Sequence, residues 1–198
     1  MVESTEQPEY TERLLRPEST WKRFLPVQVP YRWNLRRLST GLTLDLGCGI
    51  GRNLAHLDGN GVGVDHNTAS IAVARARGLN AFTPEDFLRS KFNRPGTFDS
   101  LLAAHVLEHM TEAEAVSLVM RHANLVKTPG RLVVITPQEL GFKSDPTHVR
   151  FMGFPEIQAV AVACGFSKVV REYSFPLPRT FGRLFMHNEF VGVYMRTC

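Results

Sequence analysis

The sequence is poor in cysteine: of 198 residues only Cys48, Cys164 and Cys198 are cysteines, far apart and with no C-x-x-C pair. A disulfide-stapled domain is excluded, as are the spacings that begin zinc sites and redox motifs, so the thiols are expected to be reduced. Long apolar runs are also missing. None approaches the roughly 18 residues that a membrane span requires. The opening stretch MVESTEQPEYTER is acidic and polar, where a secretory leader is basic and then apolar. A cytoplasmic protein without a membrane partner is the expectation. Charge of one sign is scarce as well: the net charge is +4, and no run of five or more basic residues occurs. Nucleic acid is therefore not an expected partner. Internal repeats and low-complexity segments are absent, and the 43% hydrophobic and 21% charged fractions exclude a disordered or fibrous chain. A length this close to the usual domain size predicts one domain over 1–198.

The first forty residues form a preface in which Pro8, Pro17, Pro26 and Pro30 restrict helices to short pieces, 19–25 and 31–38. A lid and an irregular cap are both open readings of this segment. From residue 41 to 198 a regular alternation takes over. Strands are predicted at 43–46, 61–65, 79–83, 98–104 and 131–137, the last entered through a Pro129-Gly130 turn. Helices are predicted from Arg52 to Leu57, at 67–78 with Asn67 as cap, at 111–126 behind a Thr111/Glu114 capping box, and at 154–166. The runs at 167–175 and 189–196 have no helix pattern between them and should pair antiparallel. Strands alternating with helices imply an α/β, doubly wound, mostly parallel sheet of seven strands ending in an antiparallel hairpin.

The richest segment is TLDLGCGIGRN, in which Asp45, Gly47, Gly49 and Gly51 lie between a strand and a helix. In a doubly wound sheet this turn lies at the carboxyl edge, where ligands bind, and glycines admit a ligand close to the backbone. Two nucleotide motifs are missing. Aligning the dinucleotide fingerprint on Gly47 and Gly49 puts Arg52 where the third glycine belongs, and the G-x-x-x-x-G-K-[ST] phosphate loop does not occur.

With these surroundings, residues 41–175 resemble the class I S-adenosylmethionine-dependent methyltransferases, in the small-molecule branch called methyltransferase type 11. The resemblance implies that LDLGCGIG, including Cys48, cradles the amino-acid half of S-adenosylmethionine, and that Asp65 at the end of the second strand accepts the ribose hydroxyls. It further implies that Asp86 accepts from the adenine amino group, that Phe87 packs on the ring, that His66 flanks it, and that His105 lies near the sulfonium. Arg32 would grip the cofactor carboxylate if the preface folds over the site, a role that competes with a plain surface position. The expected activity is methyl transfer to a small-molecule acceptor, leaving S-adenosylhomocysteine.

An oxygen acceptor needs a base, and histidine suits the task near neutral pH. His148, oriented by Asp145 in the loop PQELGFKSDPTHVRF, is the first candidate and His109 the second. Transfer to nitrogen or carbon remains open, as does a non-catalytic module that only binds the cofactor. The amino-methylating D/N-P-P-Y motif is replaced by AAHVLEH. That segment contains H-x-x-E-H, the signature of inverted zinc metallopeptidases. Its place directly after a strand argues against a helix presenting both histidines, so no metal is expected. The acceptor and the oligomeric state are not readable.

Overall fold

The computed structural model describes residues 28–38 and 41–196. The expected helix at 19–25 and Cys198 lie outside them, as does most of the preface. Helix α1 (Gln28–Leu38) precedes β1 (Thr43–Leu46), α2 (Arg52–His56), β2 (Gly61–Val64), α3 (Thr68–Ala76), β3 (Ala81–Phe82) and α4 (Pro84–Leu88). Then follow β4 (Phe98–Ala104), α5 (Glu112–Ala123), β5 (Val126–Pro137), α6 (Glu139–Lys143), α7 (Phe154–Ala163), β6 (Lys168–Phe175) and β7 (Glu189–Arg196). The seven strands form one sheet in the order β3-β2-β1-β4-β5-β7-β6. β1 to β5 pair in parallel, whereas β7 is antiparallel to both β5 and β6. This is the expected doubly wound α/β sheet with its C-terminal antiparallel strands.

Alternate residues along each strand point to opposite faces, and two apolar layers result. Leu44, Leu46, Leu101, Ala103, Leu132 and Val134 pack on one face with Val119 of α5 and Ile157 and Val160 of α7. Leu102, Ala104, Val133, Ile135 and Val193 pack on the other with Leu35, Leu54 and Ile71 of α1, α2 and α3. The pattern GVGV in β2 follows from this. Val62 and Val64 belong to the first layer. A Cβ on Gly61 would stand 2.9 Å from side-chain atoms of Leu54 and Leu57, and one on Gly63 would stand 2.5 Å from Cys48 Sγ. The two glycines let α2 sit close against the sheet.

Local signals act where the sequence places them. Asn67 caps α3 by accepting from the Ser70 amide at 3.0 Å, and the Thr111/Glu114 capping box is formed. Three bounds differ from the expected ones. β3 is two residues long, its ladder to β2 limited to the pairs Gly63–Ala81 and Val64–Phe82. β5 begins at Val126 instead of 131, because Val126 pairs with Phe98 and Gly130 with Arg196, so Pro129-Gly130 belongs to the strand. α5 stops at Ala123, short of the expected end.

The segment between β6 and β7 is held by buried amides. Gln138 Nε2 donates to Ser174 Oγ at 2.8 Å and to the Glu189 carbonyl at 2.9 Å, while Asn188 Nδ2 donates to Gln138 Oε1 at 3.0 Å. Both amide side chains are fully buried. Their bonds fix the start of β7, and therefore Glu189, at the carboxyl edge of the sheet.

Candidate functional site

Two clefts open along the carboxyl edge of the parallel strands. One, of about 290 Å3, is lined by Gly47, Asp65, His66, Phe87, Val106 and Met110 among others. The second, of about 430 Å3, is lined by more polar groups, including Arg52, Asn53, Asp145, His148 and Glu189. His105 and His109 line both. They form the wall that the clefts share.

The first cleft is built on the glycine loop. Gly47, Gly49 and Gly51 have φ of 66°, 50° and 81°. This left-handed backbone strains any residue with a Cβ. At Gly47 space adds to conformation, because a Cβ there would lie 2.4 Å from Val106 Cγ2. Asp65, at the end of β2, holds the loop from above: Oδ2 accepts from the Gly49 amide and Oδ1 from the Asn67 amide, each at 2.8 Å. Each carboxylate oxygen can accept more than one hydrogen bond, so Asp65 keeps accepting capacity toward the cleft. Helix α2 is only five residues long, so the loop amides, not a helix dipole, carry the polar character of this turn.

Asp45 lies on β1 in the layer beneath and is fully buried, and neither carboxylate oxygen has a fully formed hydrogen bond. Burial, then the charge of Asp65, push its pKa up to about 8, with the Asn53 side chain opposing. It lines neither cleft. Cys48 is likewise buried, its side chain against Gly63, and burial raises its thiol pKa far above the usual range. Neither contacts the cleft that the loop shapes, so both belong to the support of the loop.

The remaining expected cofactor residues divide. His66 lines the first cleft beside Asp65, and Phe87 lines it while also stacking on Phe98 in the core at 6.5 Å between ring centroids. Asp86 is turned to Arg75, whose Nη2 donates to it at 2.8 Å, and Arg32 faces Asp58. The structure brings neither Asp86 nor Arg32 to a cleft.

His105 follows β4 with φ of 57°, a conformation uncommon for a residue with a side chain. Its Nε2 is 2.8 Å from Glu189 Oε1, and its Nδ1 is 3.4 Å from Glu108 Oε1. Although desolvation favours the neutral ring, the Glu108 and Glu189 carboxylates beside it hold its pKa up to about 10, so the ring is a cation at neutral pH. Glu108 and His109 lie in the short 3-10 turn Leu107–His109. The two histidines of H-x-x-E-H therefore do not share a helix face, as the metallopeptidase arrangement requires.

His109 Nδ1 faces the Thr147 carbonyl at 3.1 Å, and His148 Nδ1 faces the Phe142 carbonyl at 2.7 Å. A carbonyl only accepts, so each Nδ1 carries the hydrogen and each Nε2 is left with a lone pair. Burial, and the neighbouring His148, push the His109 pKa below its ordinary value against the pull of Glu108. The rings are 4.7 Å apart. The Asp145 carbonyl accepts from the His148 amide at 3.2 Å. Asp145 Oδ1 accepts from the Thr147 amide at 2.9 Å and hydroxyl at 2.7 Å, and so shapes the loop. Sequence reasoning missed Glu189, Asn53 and Tyr31 at the second cleft, and the burial of Glu108. No local pattern marks them.

A family model described as a methyltransferase domain matches residues 44–134. A ubiquinone biosynthesis O-methyltransferase of Colwellia psychrerythraea is 29% identical over 109 residues, which cover 51% of this chain and 43% of that protein. The match thus spans less than half the length of this curated relative. Among solved structures, a SAM dependent methyltransferase from Archaeoglobus fulgidus superposes with a TM-score of 0.67 at 18% identity, covering 88% of this chain and 97% of that one. Magnesium protoporphyrin IX methyltransferase from Synechocystis, solved with bound S-adenosylhomocysteine, gives 0.64 at 16% identity, covering 98% and 96%.

Proposed function

From the premise that this chain is a class I S-adenosylmethionine-dependent methyltransferase, we propose that it methylates a hydroxyl oxygen of a small molecule. The observation that carries this reading is the pair of clefts sharing His105 and His109, one shaped by a glycine loop and an acid, the other by histidines. Gly47 leaves the backbone open to a ligand, Asp65 accepts two adjacent ribose hydroxyls, and His66 and Phe87 flank the base. S-adenosylmethionine supplies a methyl group on a cationic sulfur, which an acceptor takes by direct displacement.

What the chain then contributes is position and proton removal. The second cleft places an acceptor against the wall formed by His105 and His109. Nε2 of His109 or His148, with its lone pair, takes the hydroxyl proton. The His105 cation, clamped between Glu108 and Glu189, fixes the wall. Nitrogen and carbon acceptors fit the same displacement, but the paired histidines favour an oxygen acid weak enough to need them.

The test combines binding and turnover. S-adenosylhomocysteine should bind the wild type and the His148→Ala variant alike, as read by calorimetry. Release of S-adenosylhomocysteine from S-adenosylmethionine with a panel of phenols and hydroxy acids should fall about 100-fold or more in the variant, the scale of a lost general base. Wild-type rates in both His148→Ala and His109→Ala would refute the assignment, and binding without turnover on any acceptor would support a non-catalytic module.

A further inference from the structure

Glu108, His109 and His148 each place one metal-ligating atom within 4.8 Å of the other two. We propose that this triad is a binding site for a divalent first-row transition metal, set in the wall of the second cleft. The site goes beyond the methyl transfer proposed above, since only its catalytic use rests on that reading.

Three observations carry it. First, Glu108 is 0% exposed, and its carboxylate is only half paired. Oε1 faces the His105 ring at 3.4 Å, which leaves Oε2 without any partner among the described residues. A buried carboxylate oxygen without a partner is costly, and coordinating a cation is a recognised way to offset that cost. Second, each histidine donates Nδ1–H to a backbone carbonyl, Thr147 for His109 and Phe142 for His148, so the lone pair sits on Nε2. Metal-ligating histidines are oriented in this way, the second nitrogen bonded to a carbonyl or carboxylate. Third, the two segments that bring the triad together are tied. The Val149 and Arg150 amides donate to the Glu108 carbonyl at 2.8 and 3.1 Å, and Thr147 Oγ1 lies 3.0 Å from His109 Nδ1.

Two imidazoles and one carboxylate suit zinc, manganese, iron or cobalt rather than magnesium or calcium, which prefer oxygen ligands. Three protein ligands leave coordination positions open toward the cleft. A hydroxyl brought against a divalent ion at this position loses its proton more readily. The oxygen then forms the new O–C bond as the S–C bond breaks, the electron pair stays on sulfur, and the proton passes to bulk water. Under this arrangement His109 and His148 act as ligands, and the acid-strengthening comes from the metal they hold.

The experiment titrates Co2+ and Zn2+ into tag-free, chelator-treated full-length protein, read by the visible ligand-field absorption of cobalt and by calorimetry. The expected result is one equivalent bound by the wild type, and binding weaker by about 100-fold or more in Glu108→Gln and in His148→Ala, since even loss of a group supporting a ligand costs 10- to 100-fold. His148→Ala lies on a partly exposed loop and decides the matter if Glu108→Gln misfolds, with unchanged S-adenosylhomocysteine affinity as the sign of an intact fold. No stoichiometric binding by the wild type, or equal affinity in all three proteins, overturns the proposal. Metal binding without S-adenosylhomocysteine binding would leave this site standing and overturn the methyltransferase reading instead.

Discussion

Replacing Gly47 by alanine tests whether the glycine loop is fixed by both conformation and space. The residue has φ of 66°, and a Cβ there would stand 2.4 Å from Val106 Cγ2 and 3.2 Å from Cγ1. Left-handed backbone costs an alanine about 1–2 kcal/mol, and overpacking a filled site costs typically ~1–3 kcal/mol. Gly47→Ala should therefore lose about 2–5 kcal/mol, or roughly 4–20 °C in midpoint at about 2–4 °C per kcal/mol for a chain of this size. The two contributions separate in a double-mutant cycle. Val106 is 8% exposed, and trimming it to alanine removes both of the methyl groups that meet the new Cβ. Gly47→Ala/Val106→Ala should then be more stable than the sum of the single losses by about 1–3 kcal/mol, while the backbone part of the loss persists. Urea unfolding of the four proteins gives the coupling directly. Additivity within about 0.5 kcal/mol would refute the steric part of the argument, and a Gly47→Ala protein as stable as the wild type would refute both.

Asp65→Ala should weaken S-adenosylhomocysteine binding by about 10- to 150-fold, the worth of hydrogen bonds to a charged acceptor at about 1.5–3 kcal/mol, as measured by calorimetry. Asp45→Asn should change the pH dependence of stability. Its carboxyl, with a pKa raised to about 8 in the fold, makes the wild type lose stability as pH rises from about 4 toward 8. The midpoint of the variant minus that of the wild type should grow over that window, and parallel pH curves would refute the burial argument. Asn188→Ala leaves Gln138 Oε1 and the Leu177 amide without the partners they have at 3.0 and 2.9 Å, and should cost about 2–6 kcal/mol at about 1–3 kcal/mol per orphaned group. Cofactor affinity should stay within about twofold.

Much of the fold was legible because its signals are local. Asn67, Thr111 and Glu114 cap where hydrogen-bond chemistry places them, and the near-continuous apolar runs of β4 and β7 give their strand limits, Phe98–Ala104 and Glu189–Arg196. What escaped was set by distant partners. Val126 joins β5 because Phe98 pairs with it, and β3 keeps only the two residues that pair with β2. In the site the glycine loop and Asp65 come from neighbouring strand ends, and the resemblance to the methyltransferases is what joined them. Asp86 and Arg32 were expected at the cofactor but find Arg75 and Asp58, and ion pairs of that kind leave no trace in a sequence. The same holds for Glu189, which meets His105 across 84 residues, and for Glu108, whose motif was visible but whose burial was not.

The most direct test of the account is thermal unfolding of the full-length protein with and without S-adenosylmethionine or S-adenosylhomocysteine, with Asp65→Ala alongside. At about a hundredfold over the dissociation constant a ligand of the native state adds roughly 2.7 kcal/mol. For this size that raises the midpoint by about 5–10 °C, and the rise should be lost or greatly reduced in Asp65→Ala. A midpoint unmoved by either adenosyl compound, or one raised equally in both proteins, would contradict the assignment of the glycine loop and Asp65 as the cofactor site.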